Sequence, residues 1–349
     1  METKVIKIDD KHIDMELINQ AAKLIKAGKI VAFPTETVYG LGANGLNEKA
    51  VEGLFKAKGR PQDNPLILHI SSLDQLKTLV LEVPDIAYEC RKRFWPGPLT
   101  MIFKKSEIVP YMITGGLETV AIRMPKNKIA LELIKEANVP IAGPSANLSG
   151  RPSPTNASHV IEDLFGKIDM IIDGGDTGVG LESTVLDVTG DAPMILRPGG
   201  VTFEDLKEFI PNLTQDLGTI KSDNTIVPKS PGQKYKHYAP KADMYVYTGN
   251  IDNVVKSIIN QSNKHIKEGK KVGIMATTET KDMYDKGTIL IAGSRNDRNT
   301  IAANLFKTLR IFDEEKVDII LAEGVETDNI GRAIMNRMMK ASGGKIINV

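Results

Sequence analysis

IVAFPTETVYGLGANGLNEKAVEGLFKAKGRPQDNP, residues 30–65, decides the fold. Ile30 to Phe33 is a continuous apolar run of the kind a strand covered on both faces shows. Pro34 ends its ladder, so Thr35, Glu36 and Thr37 fall at the carboxyl end of that strand, where open α/β folds hold their ligands. Val51, Leu54 and Phe55 mark a helix, and Lys58 and Arg60 stand two apart just past it. A turn led by Gly59 and Pro61 can aim both cations into one site, and two fixed cations suit a polyanion such as a nucleotide triphosphate. A second short apolar strand, in PIAGPSAN (140–147), again ends in Gly, Pro, Ser and Asn, and two such strand ends suggest one cleft.

Outward from this stretch, strands and helices alternate. Residues 4 to 8 alternate like a strand, and Met15, Ile18, Ala22 and Ile25 belong to a helical stripe that Gly28 closes. Leu66 to Ile70 reads as a strand ending in His69 and Ser71, and an isolated histidine there is more often a satisfied core or surface group than a ligand. Leu99 to Lys104 and Thr119 to Met124 read as strands on either side of a Gly115-Gly116 turn. Arg123 lies inside the second of these; an arginine in an apolar strand needs an anion, either a core carboxylate or a ligand. Met170 to Ile172, Ser183 to Val188 and an edge-like Met194 to Arg197 complete the strands of the first part. The triplet Arg91-Lys92-Arg93 reads as a solvated helix end rather than a nucleic-acid patch.

Gly40-Leu-Gly42-Ala-Asn-Gly45 matches GxGxxG, but PTETVY separates it from the strand and the next strand ends in Ser71 instead of an acidic residue. These glycines are therefore expected at tight-turn and close-approach positions around a ligand. None of the Gly-Lys pairs is followed by Ser or Thr, so a Walker A loop is absent. The five histidines are scattered without metal-ligand spacing, and no GxSxG elbow occurs.

PTETVYGLG, Lys58-x-Arg60 and Ser145-x-Asn147, in this order, resemble the threonylcarbamoyl-AMP synthase family, whose catalytic domain is YrdC-like, and the resemblance covers nearly the whole chain. It implies an α/β fold: a twisted mixed-sheet catalytic domain followed by a smaller Rossmann-like parallel-sheet domain. It implies a nucleotidyltransferase that makes threonylcarbamoyl-AMP and pyrophosphate from L-threonine, bicarbonate or CO2, and ATP, with Mg²⁺ carried on the phosphates. Thr37, His69, Arg123, Gly143 and Ser183 would then bind L-threonine. Lys58, Arg60, Asn64, Thr119, Ser145, Asn147, Ser153, Arg197 and Tyr238 would bind ATP, with Lys58 and Arg60 the catalytic pair. Gly143 stands where the family more often has alanine. The product would pass to a separate transferase that modifies adenosine 37 of tRNA, with a weak tRNA contact at most. The alternative is an RNA-binding translation or ribosome-assembly factor without catalysis.

The chain's 349 residues exceed what one core usually serves, so two domains are expected: 1–211, a linker at 212–240, and 241–349. The 45 basic and 44 acidic residues give no global field for nucleic acid or membrane, which weighs against the RNA-binding alternative. A single cysteine, Cys90, excludes an internal disulfide. The start METKVIKIDD lacks a signal-like core and no apolar run would span a bilayer, so a cytoplasmic protein is expected. The linker is locally basic, yet SPGQKYKHYAP (230–240) carries Tyr235, His237 and Tyr238 where a passive tether would carry no aromatics. Those residues are read as a lid. The alternation of strands and helices after Met244 predicts a parallel sheet.

Overall fold

Residues 2–216 and 237–349 are described by a computed structural model. Two compact units divide them: the second holds 150–152, 179–181 and 237–349, and the first holds the rest.

The first unit is built on a mixed sheet. Its strands are β1 (Lys4–Lys7), β2 (Val31–Phe33), β3 (Gly40–Asn44), β4 (Ile67–His69), β5 (Leu99–Lys104), β6 (Thr119–Arg123), β7 (Ile141–Ala142), β8 (Met170–Asp173), β9 (Thr184–Asp187), β10 (Met194–Arg197) and β11 (Thr214–Gln215). They lie in the order β1-β8-β2-β3-β7-β4-β6-β5-β9-β10-β11. Apolar helices cover this sheet. Met15–Lys26 and Lys128–Ala137 bury Ile18, Ile25, Leu133 and Ile134 against Val31, Phe33 and Ile172. Glu48–Lys58 and Ala157–Leu164 bury Val51, Leu54, Val160 and Leu164 in a larger cluster with Leu41, Leu68 and Ile122. The helix starts are chemically marked: Asp14, Asn47, Asn127 and Asn156 each accept backbone N–H groups of the first turn.

Three details differ from the sequence reading. Gly40 and Gly42 sit in β3, antiparallel to β2, and form no turn around a ligand. A Cβ at either position would lie 2.9 Å from the Phe33 ring, so these glycines make room for an aromatic side chain of the neighbouring strand. β10 is not an edge, because β9 and β11 flank it; β11 and the helix Phe203–Lys207 were too short to show a period. Ordered backbone therefore continues past the boundary expected at residue 211.

The second unit carries β12 (Asp243–Thr248), β13 (Val272–Thr277), β14 (Thr288–Gly293), β15 (Ile319–Glu323) and β16 (Ile346–Asn348), in the order β14-β13-β15-β12-β16. Every pairing in this sheet is parallel, as the alternating pattern predicts. β16 escaped the sequence reading. At the carboxyl ends of β13 and β15, Glu323 is buried and accepts from the hydroxyls of Thr277 (2.8 Å), Thr280 (2.5 Å) and Tyr284 (2.7 Å), with Arg295 at 3.4 Å.

Candidate active site

β4 and β6 run parallel with His69 opposite Arg123, and β5 runs antiparallel on the other side with Thr100 opposite Arg123. Paired residues face the same side, so Thr100, Arg123 and His69 make one row across three strand ends. Two residues back along each strand, Ile102, Ala121 and Ile67 form an apolar floor with Val185 and Leu196. The row is therefore the polar rim of a dry surface.

The loop that Pro34 starts supplies the next groups. Thr35 and Thr37 share a hydroxyl hydrogen bond of 2.9 Å, and the Thr35 hydroxyl donates to the Val38 carbonyl at 2.6 Å, which locks the turn. Arg123 is 3 % exposed. Its NH1 donates to the Thr37 hydroxyl at 2.9 Å, its Nε donates to the Gly97 carbonyl at 3.2 Å, and its NH2 lies 2.6 Å from Glu36 Oε1 as an ion pair. The anion that an apolar strand's arginine requires is thus Glu36, placed by the same loop. Burial, and then the neighbouring Arg123 charge, hold the His69 imidazole down at about 3, so it is neutral at physiological pH. His69 occupies the space in front of Gly143, where a Cβ would lie 2.6 Å from its Nδ1. The glycine is consequently part of how the ring is seated.

From Gly143 the backbone leads directly to Ser145 and Asn147, which Lys58 holds. Lys58 closes the helix Glu48–Lys58, Gly59 turns the chain at φ 64°, and the Lys58 side chain is 2 % exposed. Its Nζ donates to the carbonyls of Ser145 (2.5 Å) and Asn147 (2.6 Å) and to Asn147 Oδ1 (3.1 Å). The segment 143–147 therefore has His69 at one end and the Lys58 ammonium at the other. Arg60 NH2 donates to the carbonyls of Asn64 (3.4 Å) and Pro65 (3.0 Å), which ties the 60–65 loop to itself. The Asn64 Oδ1 is buried and has no hydrogen-bond partner among the described residues. Thr119 is half-buried at the start of β6, opposite Lys104.

Ser183 stands beside the row: its hydroxyl is 2.8 Å from that of Thr100, and Arg197 NH2 donates to the Ser183 carbonyl (2.9 Å) and hydroxyl (3.1 Å). Ser153 donates to Glu182 at 2.5 Å. In the second unit the Tyr238 ring packs 5.1 Å from Phe306, beneath the Arg337 guanidinium, and His237 stacks on Tyr238 at 5.5 Å. Tyr235 and the rest of the lid motif through Lys236 lie outside the described residues.

The structure thus joins Thr37, His69, Arg123, Gly143 and Ser183, and links them to Lys58, Ser145 and Asn147. Sequence reasoning missed Glu36, Thr100 and Glu182 as members of these networks. Glu36 had a signal, a carboxylate at a strand end in a chain with an arginine to neutralise; Thr100 and Glu182 had none.

Known proteins resemble the chain along nearly its whole length. A family profile described as telomere recombination matches residues 23–199, and one described as the C-terminal domain of threonylcarbamoyl-AMP synthase matches 201–343. A threonylcarbamoyl-AMP synthase of Pyrococcus abyssi is 50 % identical over 99 % of this chain and 100 % of its own. One of Bacillus subtilis is 48 % identical over 95 % of this chain and 94 % of its own. The crystal structure of P. abyssi Sua5 complexed with L-threonine superposes with a TM-score of 0.95 at 50 % identity, covering 99 % of this chain and 100 % of that one.

Proposed function

The chain belongs to the threonylcarbamoyl-AMP synthase family, and from that premise we infer that it is an enzyme joining L-threonine, a one-carbon unit and ATP into threonylcarbamoyl-AMP and pyrophosphate. The observation that carries the reading is the row of buried polar groups at one end of β4, β5 and β6, connected through 143–147 to the Lys58 ammonium. One half suits a small amino acid and the other a phosphate chain.

Arg123 takes the threonine carboxylate. Thr37 and Ser183 offer hydroxyls to its polar groups, and neutral His69 with Gly143 shapes the wall without adding charge. The amine adds to bicarbonate with loss of water, or to CO2 with loss of a proton, and forms a carbamate. A carbamate oxygen then attacks the α-phosphorus of ATP in line with the departing pyrophosphate. Lys58 and Arg60 offset charge that grows on the leaving group, and Ser145 and Asn147 give neutral hydrogen bonds near the nucleotide. Asn64, Thr119, Ser153, Arg197 and Tyr238 complete the nucleotide contacts in this reading, and the buried, unmatched Asn64 Oδ1 supports a polar ligand there. Among the described residues no group of three or more His, Cys, Asp or Glu side chains is placed to hold a metal. In this reading magnesium comes with the triphosphate as part of the substrate.

The mixed anhydride product is labile in water, so Tyr235 and His237 act as a lid over it, and a separate transferase carries the threonylcarbamoyl group to adenosine 37 of tRNA. The tRNA touches this enzyme weakly at most. Its place is the cytoplasm, where ATP and tRNA meet; no helix among the described residues is long and apolar enough to cross a membrane. Pyrophosphate release from ATP tests the reading. Release should require both L-threonine and bicarbonate, and release that is indifferent to threonine would refute it.

A further inference from the structure

An α-amino acid carries a carboxylate and an ammonium on one carbon, and its natural receptor is a cation and an anion side by side. Such a pair stands in the row: Glu36 Oε1 is 2.6 Å from Arg123 NH2, with side chains 14 % and 4 % exposed. Both partners are anchored from outside the pair. Arg123 is held by the Gly97 carbonyl and the Thr37 hydroxyl, and Glu36 by its other oxygen, which accepts the Lys126 backbone N–H at 3.0 Å. His69, the titratable group of the neighbouring strand end, is neutral and leaves Glu36 as the carboxylate that faces the guanidinium.

We propose that Glu36 binds the α-ammonium of the amino-acid substrate, a role that rests on the reading of Arg123 as the carboxylate site. The substrate bridges the pair, carboxylate to guanidinium and ammonium to Glu36, so one ion pair becomes two and the charges alternate along the site. A zwitterion adds no net charge to this buried place, whereas a carboxylic acid without the amine brings a second anion to a single arginine and places it against Glu36. Glu36 thereby selects amino acids against hydroxy acids of the same shape. It also holds the nitrogen that must attack the one-carbon unit.

The test is calorimetric binding to the full chain and its Glu36→Gln variant, with L-threonine and with 3-hydroxybutanoate, which keeps the carboxylate and hydroxyl but lacks the ammonium. The parent should favour threonine by about 100-fold or more, and Glu36→Gln should weaken threonine by roughly 30-fold or more while 3-hydroxybutanoate binds as well or better. Threonine binding with its selectivity intact in Glu36→Gln overturns the role of Glu36 alone. Binding of neither ligand by the parent refutes the amino-acid site and this role with it. If Glu36→Gln does not fold, a crystal structure of the parent with L-threonine decides. A substrate nitrogen within about 3.2 Å of a Glu36 oxygen supports the proposal, and a nitrogen held elsewhere overturns it.

Discussion

Replacing Lys58 by methionine keeps the length and apolar stem of the side chain and removes only the ammonium. Three contacts go with it: the carbonyls of Ser145 and Asn147 and the Asn147 amide oxygen. A hydrogen bond from a charged donor is worth about 1.5–3 kcal/mol, but these three share one donor and one loop, so their losses overlap and the net is about 3–5 kcal/mol. For a unit of this size that lowers the melting temperature by about 10 °C. The catalytic effect is separate. The 143–147 segment loses its tie, and the leaving group loses a preorganised cation, which together should cut turnover about 10²-fold or more. The assay pairs scanning fluorimetry with pyrophosphate release at a temperature where the variant is still folded. Lys58→Met that melts with the parent and turns over at its rate would refute both the tie and the catalytic role.

If Arg60 offsets charge on the leaving pyrophosphate as proposed, Arg60→Ala should lower turnover by about 10²-fold and raise the ATP KM, which steady-state kinetics checks. The His69 imidazole is depressed from 6.5 to about 3 on folding, so its stability contribution is complete above pH 6.5 and is lost as pH falls toward 3. Urea unfolding of the parent between pH 6 and 4 should therefore show a slope, of about 1.4 kcal/mol per pH unit, that His69→Gln removes; equal slopes would contradict a buried neutral ring. Glu323→Gln leaves at least one of three hydroxyl donors facing an N–H group, and should destabilise the second unit by about 2–4 kcal/mol in thermal unfolding. Tyr235→Ala and His237→Ala in the full chain should release more hydrolysed product per pyrophosphate if these residues shield the anhydride, and an unchanged ratio would remove the lid.

The long strands and helices were legible because each repeats its apolar period over several turns or pleats. The helix Ile251–Lys267 and the parallel sheet it serves are read directly from that period. β7, with two residues, carries no period and was visible only as the short apolar run before Gly143-Pro144, whereas β11, also with two residues, depends on tertiary pairing. The site divides in the same way. Arg123 was visible because a cation inside an apolar strand is physically costly, but its bond to Thr37 spans 86 residues and its pairing with Glu36 follows from the fold of the Pro34 loop. Lys58 and Arg60 were visible as a spaced pair. Their spacing did not reveal that Lys58 grips the carbonyls of 145 and 147 while Arg60 binds those of 64 and 65. Gly40 and Gly42 were expected at tight-turn and close-approach positions around a ligand, whereas their physical cause is the Phe33 ring on the adjacent strand.

The most direct test of the central claim is mass spectrometry of the nucleotide formed from ATP, L-threonine and ¹³C-bicarbonate. The account predicts a threonylcarbamoyl-adenylate that carries the labelled carbon, forms together with pyrophosphate, and is absent when threonine is replaced by valine, whose missing hydroxyl leaves the polar groups around Thr37 and Ser183 unmatched. ADP, or AMP without label, as the only nucleotide product would contradict it.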